Sequence, residues 1–259
     1  MIDVASGERT RFTFSKDVFS PAVWSYDGTR VAYSAGRDGD TIYEKAASGA
    51  VDPQKLLKEP GLRHFPTSWS RDGRFLLYHI ENAANTGYDQ WALSLSDRKP
   101  HLMLGEAYNE WAAVFSPDMR WVAYSSLEAG LASDIYVRPF QVSEQTGQPS
   151  FGERKWQVSR DLGNWPQWRI GREIVFNRGR AVFAVPVPAR LAPAGITSRA
   201  LRRYPARDLL GIRTRLILVD LVKIMDVAAT DGLVFNSRRE QPESNVATRC
   251  DGTTWSALE

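Results

Sequence analysis

Pro66-Thr67-Ser68-Trp69-Ser70-Arg71-Asp72-Gly73, followed at once by Arg74-Phe75-Leu76-Leu77-Tyr78, is the stretch that decides the fold. An aromatic residue closes a short run, a Ser-x-Asp-Gly string follows, and a second, apolar run ends in a tyrosine. Asp-Gly supplies the positive-φ backbone that a tight two-residue hairpin turn requires. The second run carries large side chains of high strand preference, and in the upstream copy Val31 and Tyr33 alternate with Ala32 and Ser34 at the period of two that marks strands.

The same pattern occurs on either side. Upstream, Pro21-Ala22-Val23-Trp24-Ser25-Tyr26-Asp27-Gly28 precedes Arg30-Val31-Ala32-Tyr33-Ser34. Downstream, Ala112-Ala113-Val114-Phe115-Ser116-Pro117-Asp118-Met119 precedes Arg120-Trp121-Val122-Ala123-Tyr124. The anchors Trp24, Trp69 and Phe115 stand 45 and 46 residues apart. Weaker copies are Pro166-Gln167-Trp168-Arg169-Ile170-Gly171 and Asp226-Val227-Ala228-Ala229-Thr230-Asp231-Gly232. A third strand is read at Asp40–Tyr43, Asp89–Ala92 and Asp134–Val137, and a fourth at Lys55–Leu57 and Lys155–Ser159. Four short strands in each ~45-residue unit make a propeller blade, which buries its two faces only by stacking on neighbours. The expected fold is therefore all-β: a β-propeller of four-stranded antiparallel blades, about five to six of them. Residues 1–259 form one domain, with the outer strands of a partial blade in 1–14 and blades starting near 19, 64, 110, 163 and 224. The partial first unit implies either closure by the last unit or an incomplete ring from a larger propeller, and the second is favoured. Residues 189–225 fit no unit.

The strings Trp-Ser-x-Asp-Gly-x-x-Val-Ala-Tyr and Asp-x-Ile-Tyr resemble the TolB-like, WD40-like propeller repeats. The likeness extends to the propeller portions of bacterial proteins joined to a serine/threonine kinase domain. It rests on Arg11–Phe14, Tyr43–Gly49, Asp72–Tyr78, Asn109-Glu110, Val137–Phe140 and Lys155–Ser159. It is specific for fold and weak for function, because such scaffolds serve many uses. It implies a sensor or interaction portion of a larger signalling protein, and it allows an extracytoplasmic location.

Composition narrows the classes. With 43% hydrophobic and 24% charged residues the chain is of globular composition. The net charge of +3 gives no reason to expect nucleic acid, although Arg190 to Arg215 holds seven arginines against Asp208. The single Cys250 can form no intrachain disulfide and no cysteine-based metal site. No apolar run of spanning length and no secretory leader pattern occurs in this chain.

Motifs for kinase, Gly-x-Ser-x-Gly hydrolase, His-Glu-x-x-His metalloprotease and phosphate-loop chemistry are missing, so no catalytic residue, cofactor or metal is assigned. His79 and His101 read as structural, and the recurring Asp40, Asp89 and Asp134 as local turn or backbone acceptors rather than metal ligands. First strands line a propeller's channel. His64, Phe65, Glu110, Trp111, Asn164 and Trp165 begin successive first strands, so they are the candidate ligand-binding residues at the channel mouth. Aromatic faces with a carboxylate suit a protein, peptide or small polar ligand. Two alternatives stand beside this one. One is a propeller-type lyase or hydrolase acting on a glycan, with His64 and Glu110 as base and acid. The other is a flat protein-docking scaffold.

Overall fold

The computed structural model describes residues 1, 10–14, 22–36, 39–82, 87–160, 162–169, 173–179 and 181–187, with the backbone of 202–204, 247–250 and 255–258. These form an all-β structure of nineteen strands. The first sheet is β1 (Val23–Trp24), β2 (Arg30–Ala35), β3 (Thr41–Ala46) and β4 (Gln54–Lys58). The second is β5 (Arg63–Trp69), β6 (Phe75–Asn82), β7 (Gly87–Ser94) and β8 (Pro100–Leu104). In the third, β9 (Glu110–Phe115) and β10 (Trp121–Ser126) lead into the long β11 (Asp134–Val142). One end of β11 pairs with β12 (Pro149–Phe151) and the other with β13 (Trp156–Gln157). The fourth is β14 (Asn164–Arg169), β15 (Glu173–Arg178), β16 (Ala181–Pro186) and β17 (Arg202–Tyr204). A further hairpin joins β18 (Ala247–Cys250) to β19 (Trp255–Leu258). Every pairing is antiparallel between sequence neighbours, apart from the split partner of β11.

The turns differ from the two-residue form expected. Ser25 N bonds Arg30 O, and Gly28 N bonds Ser25 O, so four residues lie within the closing pair. Only the glycine takes positive φ (Gly28 +70°, Gly73 +74°), and Met119 fills that position in the third sheet at +59°. The aspartate has a different task. Asp27 Oδ1 accepts from Ser25 Oγ at 2.6 Å and from Thr29 N at 3.0 Å, while Ser25 Oγ accepts from Arg30 N at 2.9 Å. Ser70 with Asp72 and Ser116 with Asp118 repeat the arrangement. The serine and aspartate thus satisfy turn groups that a bare Asp-Gly turn would leave to water.

Alternation along the middle strands gives each sheet two apolar faces. Leu76, Tyr78 and Ile80 pack with Val23, Ala32 and Ile42 of the first sheet. Phe75, Leu77 and Ala92 on the opposite face pack with Phe115, Val122 and Tyr124 of the third. Val114, Ala123 and Ile135 continue the stack onto Ile174 and Phe176 of the fourth. Each fully buried side chain of this size contributes about 1.5–3 kcal/mol.

A polar latch recurs at the residue after the second-strand aromatic. Ser34 Oγ donates to the carbonyl oxygen of His64. His79 Nδ1 accepts from Ala112 N at 3.5 Å, and Ser125 Oγ accepts from Trp165 N at 3.1 Å. Each joins one sheet to the first strand of the next. The expected third and fourth strands coincide with β3, β7, β11, β4 and β13, although β3 begins only at Thr41 and β13 covers only Trp156–Gln157 of Lys155–Ser159. Ile170-Gly171 and the Asp226–Gly232 copy lie outside the described residues, as does most of 189–225, within which β17 supplies the fourth strand of the fourth sheet. Thr10–Phe14 are not strand residues. Phe12 instead meets Tyr33 edge-on at 6.2 Å, and its carbonyl accepts from Lys45 Nζ at 3.0 Å.

Candidate functional site

The first strands begin at one end of the stack, and their opening residues occupy matched positions. Phe65 pairs across its sheet with His79, Trp111 with Ser125, and Asn164 with Asn177. This register aligns Phe65, Trp111 and Asn164 along the stack. His79 carries the line between the sheets: its ring stacks on Phe65 at 4.8 Å and meets Tyr88 edge-on at 5.5 Å. Tyr88 is tilted against Trp111 at 6.2 Å. Trp111 Nε1 then donates to Asn164 Oδ1 at 2.8 Å, and Trp165 follows. Phe65, Tyr88, Trp111, Asn164 and Trp165 are all half-buried; the rings of the second and third sheets and the hydrogen-bonded Asn164–Trp165 pair of the fourth make up one ledge.

The ledge is fixed from behind. Asn164 Oδ1 also accepts from Trp165 N at 2.9 Å and from Ser125 Oγ at 3.3 Å. Tyr88 N donates to Asn109 Oδ1 at 2.9 Å, and Gly87 (φ +94°) lets the Asn109 amide lie where any Cβ would collide with it. Ala112 and Trp165 take positive φ, +57° and +53°. For a ring as bulky as Trp165 that conformation is costly and is held by the surrounding bonds; such strain clusters at ligand-contact positions.

His64 and Glu110 are interior rather than at the mouth. His64 is 0% exposed and pairs with Ile80, so it faces the first sheet. Its Nε2 is 2.8 Å from Glu59, and Nδ1 is 3.4 Å from the Gly39 carbonyl. Glu110, 2% exposed, pairs with Ser126, two residues on from Tyr124, and so faces the second sheet. A glycan-cleaving pair of His64 and Glu110 would have to meet at one substrate, yet they occupy successive interfaces. Burial above all, then the charges of Glu106 and Asp89, push the Glu110 carboxyl up to about 8. Burial likewise raises the Tyr88 hydroxyl, with Glu81 adding to it.

The carboxylates near the ledge are mostly paired: Arg63 with Glu81 at 3.3 Å, Arg138 with Glu106 at 2.8 Å, and Lys155 with Glu128. Beside the β10–β11 loop, an open depression of about 430 Å³ is lined by Ala129, Leu131, Ala132, Asp134, Gln157 and Arg160. Among the described residues no group of three His, Cys, Asp or Glu is placed to hold a metal ion. Asp134 accepts from Ser159 Oγ at 2.9 Å and Gln157 Nε2 at 3.0 Å, side chains 25 and 23 residues on, and Asp40 from Thr41 Oγ1 at 2.7 Å, so these bonds go to side chains rather than to the turn or backbone groups expected. No helix among the described residues is long and apolar enough to cross a membrane. Sequence reasoning did not single out Tyr88 and Ser125 as site residues and read His79 as structural. The signal available for them was that Ser125 and His79 each follow the aromatic of a repeat unit.

No family model and no curated protein sequence matches the chain. Solved structures do. TolB from Acinetobacter baumannii aligns with a TM-score of 0.51 at 12% identity, covering 71% of this chain and 44% of that one. A TolB-type protein from Agrobacterium tumefaciens aligns at 0.54 and 18% identity, covering 70% of this chain and 65% of that one. The chain thus spans less than two thirds of either, and at these identities the likeness is one of fold. The sheet stack is TolB-like.

Proposed function

We propose that this chain is a non-catalytic interaction module whose contact surface is the ledge of Phe65, Tyr88, Trp111 and Trp165. The partner is a protein, a peptide or a small polar ligand. The observation that carries this reading is the run of ring contacts from Phe65 through His79 and Tyr88 to Trp111, across the second and third sheets, which a hydrogen bond extends to Asn164 of the fourth, with strained backbone at Ala112 and Trp165. Rings of this kind supply large contact area at small entropic cost, and they dominate binding energy where they are partly desolvated. The surrounding carboxylates are mostly ion-paired, which leaves little charge for acid–base work at this surface. The sheets belong to a propeller ring of five to six blades in one domain, and the ledge lies at its channel mouth. The module acts as the sensor portion of a larger signalling protein of the kinase-linked kind, and the resemblance allows an extracytoplasmic location.

Isothermal titration of the chain with peptide and oligosaccharide pools tests the reading. Binding lost in Trp165→Ala but kept in a variant of the opposite end, Tyr26→Ala, is the expected result. Equal binding by both variants, or none by the parent, would overturn it.

A further inference from the structure

Three equivalent sheet interfaces carry three different residue pairs at one location. Between the third and fourth sheets Ile135, paired with the latch residue Ser125, lies against Gly163; between the first and second, Ile42, paired with the latch residue Ser34, holds the same register and His64 the place of Gly163. A Cβ on Gly163 would touch both Ser159 and Ile135, which shows how closely these two positions approach. Between the second and third sheets the same location holds Gln90 and Glu110. Gln90 pairs with His79, on the face whose Ala92 packs against the third sheet, and Glu110 faces back towards it. Both are interior, Gln90 at 0% exposure.

This pair is not satisfied as its counterparts are. His64 has Glu59 and the Gly39 carbonyl. By contrast, Glu110 Oε2, Gln90 Oε1 and Gln90 Nε2 are buried with no hydrogen-bond partner. An ionised carboxylate in that setting is costly, and an amide alone does not offset it. The charges of Glu106 and Asp89 disfavour the ionised form further, and they outweigh the backbone hydrogen bond at Glu106 and the charge of Arg138, which favour it. Asp89 and His79 belong to the second sheet, Tyr124 and Arg138 to the third, and Glu106 to the connection between β8 and β9. Arg138, the one fixed cation, is engaged by Glu106 at 2.8 Å and by Tyr124 Oη at 3.1 Å. A neutral acid is different. It carries both a donor and an acceptor, and so does the amide that faces it.

We propose that Glu110 is held as the neutral acid facing Gln90 between the second and third sheets, and that its ionisation loosens that interface. Trp111 follows Glu110 directly in β9 and is the ring that connects the ledge to the fourth sheet, so the loosening reaches the ledge. The proposal concerns the sheet interface and holds whatever the ledge binds.

The sign follows from linkage. The folded chain retains a proton that the unfolded chain gives up above the ordinary carboxyl value of 4.5. Stability contributed by Glu110 is therefore greatest below that value and is lost progressively as pH rises to about 8. The test is the thermal midpoint of the full chain between about pH 5 and about pH 9, with the Trp111 indole N–H resonance as a local reporter. The parent is expected to lose midpoint temperature as pH rises and to show movement of that resonance. Glu110→Gln, which keeps the shape and removes the proton equilibrium, is expected to be flat in both. The same fall in Glu110→Gln, or a flat parent, would overturn the proposal. If Glu110→Gln does not fold, difference infrared spectroscopy of the parent decides. A buried carboxylic-acid carbonyl band present near neutrality and lost above about pH 9 supports it, and no such band near neutrality refutes it.

Discussion

Trp111 of the third sheet and Asn164 of the fourth are joined by a 2.8 Å hydrogen bond from the indole Nε1 to the amide Oδ1. The same oxygen also holds Trp165 N and Ser125 Oγ, so one side-chain atom fixes both tryptophans of the ledge and the latch serine behind them. Asn164→Ala leaves these donors without their acceptor and is expected to cost about 1–3 kcal/mol. Trp111→Phe keeps the ring and removes one donor, at about 0.5–1.5 kcal/mol. Urea denaturation measures both, and the ordering, Asn164→Ala the more damaging, is the discriminating result.

Gly28 and Gly73 make a matched pair for the turn account. Both take positive φ, and a Cβ at either meets nothing closer than an Arg30 guanidinium nitrogen 4.0 Å from Gly73. Alanine at each therefore costs only its conformational penalty, about 1–2 kcal/mol. Equal losses for Gly28→Ala and Gly73→Ala are expected in denaturant midpoints, and a much larger loss at one would mean that packing, not backbone conformation, selects glycine there.

Much of this architecture is readable from residues. The Ser-x-Asp-Gly strings and their aromatic anchors locate β1, β2, β5, β6, β9 and β10, because turn chemistry and period-two burial are local properties. The division of labour inside the turn is less visible: aspartate and glycine are adjacent in sequence, but only the glycine uses positive φ while Asp27 serves as acceptor. The site is harder still. Position in a first strand brings Phe65, Trp111, Asn164 and Trp165 to one surface, but which way His64 and Glu110 face depends on pleat and register between sheets. Tyr88 joins the ledge through Asn109 and Gly87, a contact between residues 21 apart that no local pattern encodes.

Trp69 is a buried anchor at 6% exposure, packed in the interface of the first two sheets with the Arg30 guanidinium 4.8 Å from its ring centre. Trp69→Ala is expected to cost about 3–5 kcal/mol. Its Nε1 is buried with no partner, so Trp69→Phe gives up no hydrogen bond and is expected to cost clearly less. Chemical denaturation of the two variants checks the gap between them.

Acid stability tests the turn carboxylates. The Ser25 hydroxyl, then the Thr29 amide, hold Asp27 down at about 2, below its ordinary value of 3.8. A depressed folded value means stability that is present above the ordinary value and lost as pH falls through the folded one. Asp27→Asn is expected to flatten the decline between about pH 4 and about pH 2 measured by thermal melts, while an unchanged decline would show that the Ser25–Asp27 bond contributes nothing.

The most direct test of the central claim is to record indole N–H resonances of the chain while peptide and oligosaccharide pools are added. The ledge account predicts saturable shifts of Trp111 and Trp165, with Trp24 and Trp69 unmoved. Saturable binding that shifts Trp24 or Trp69 and leaves Trp111 and Trp165 in place would contradict it.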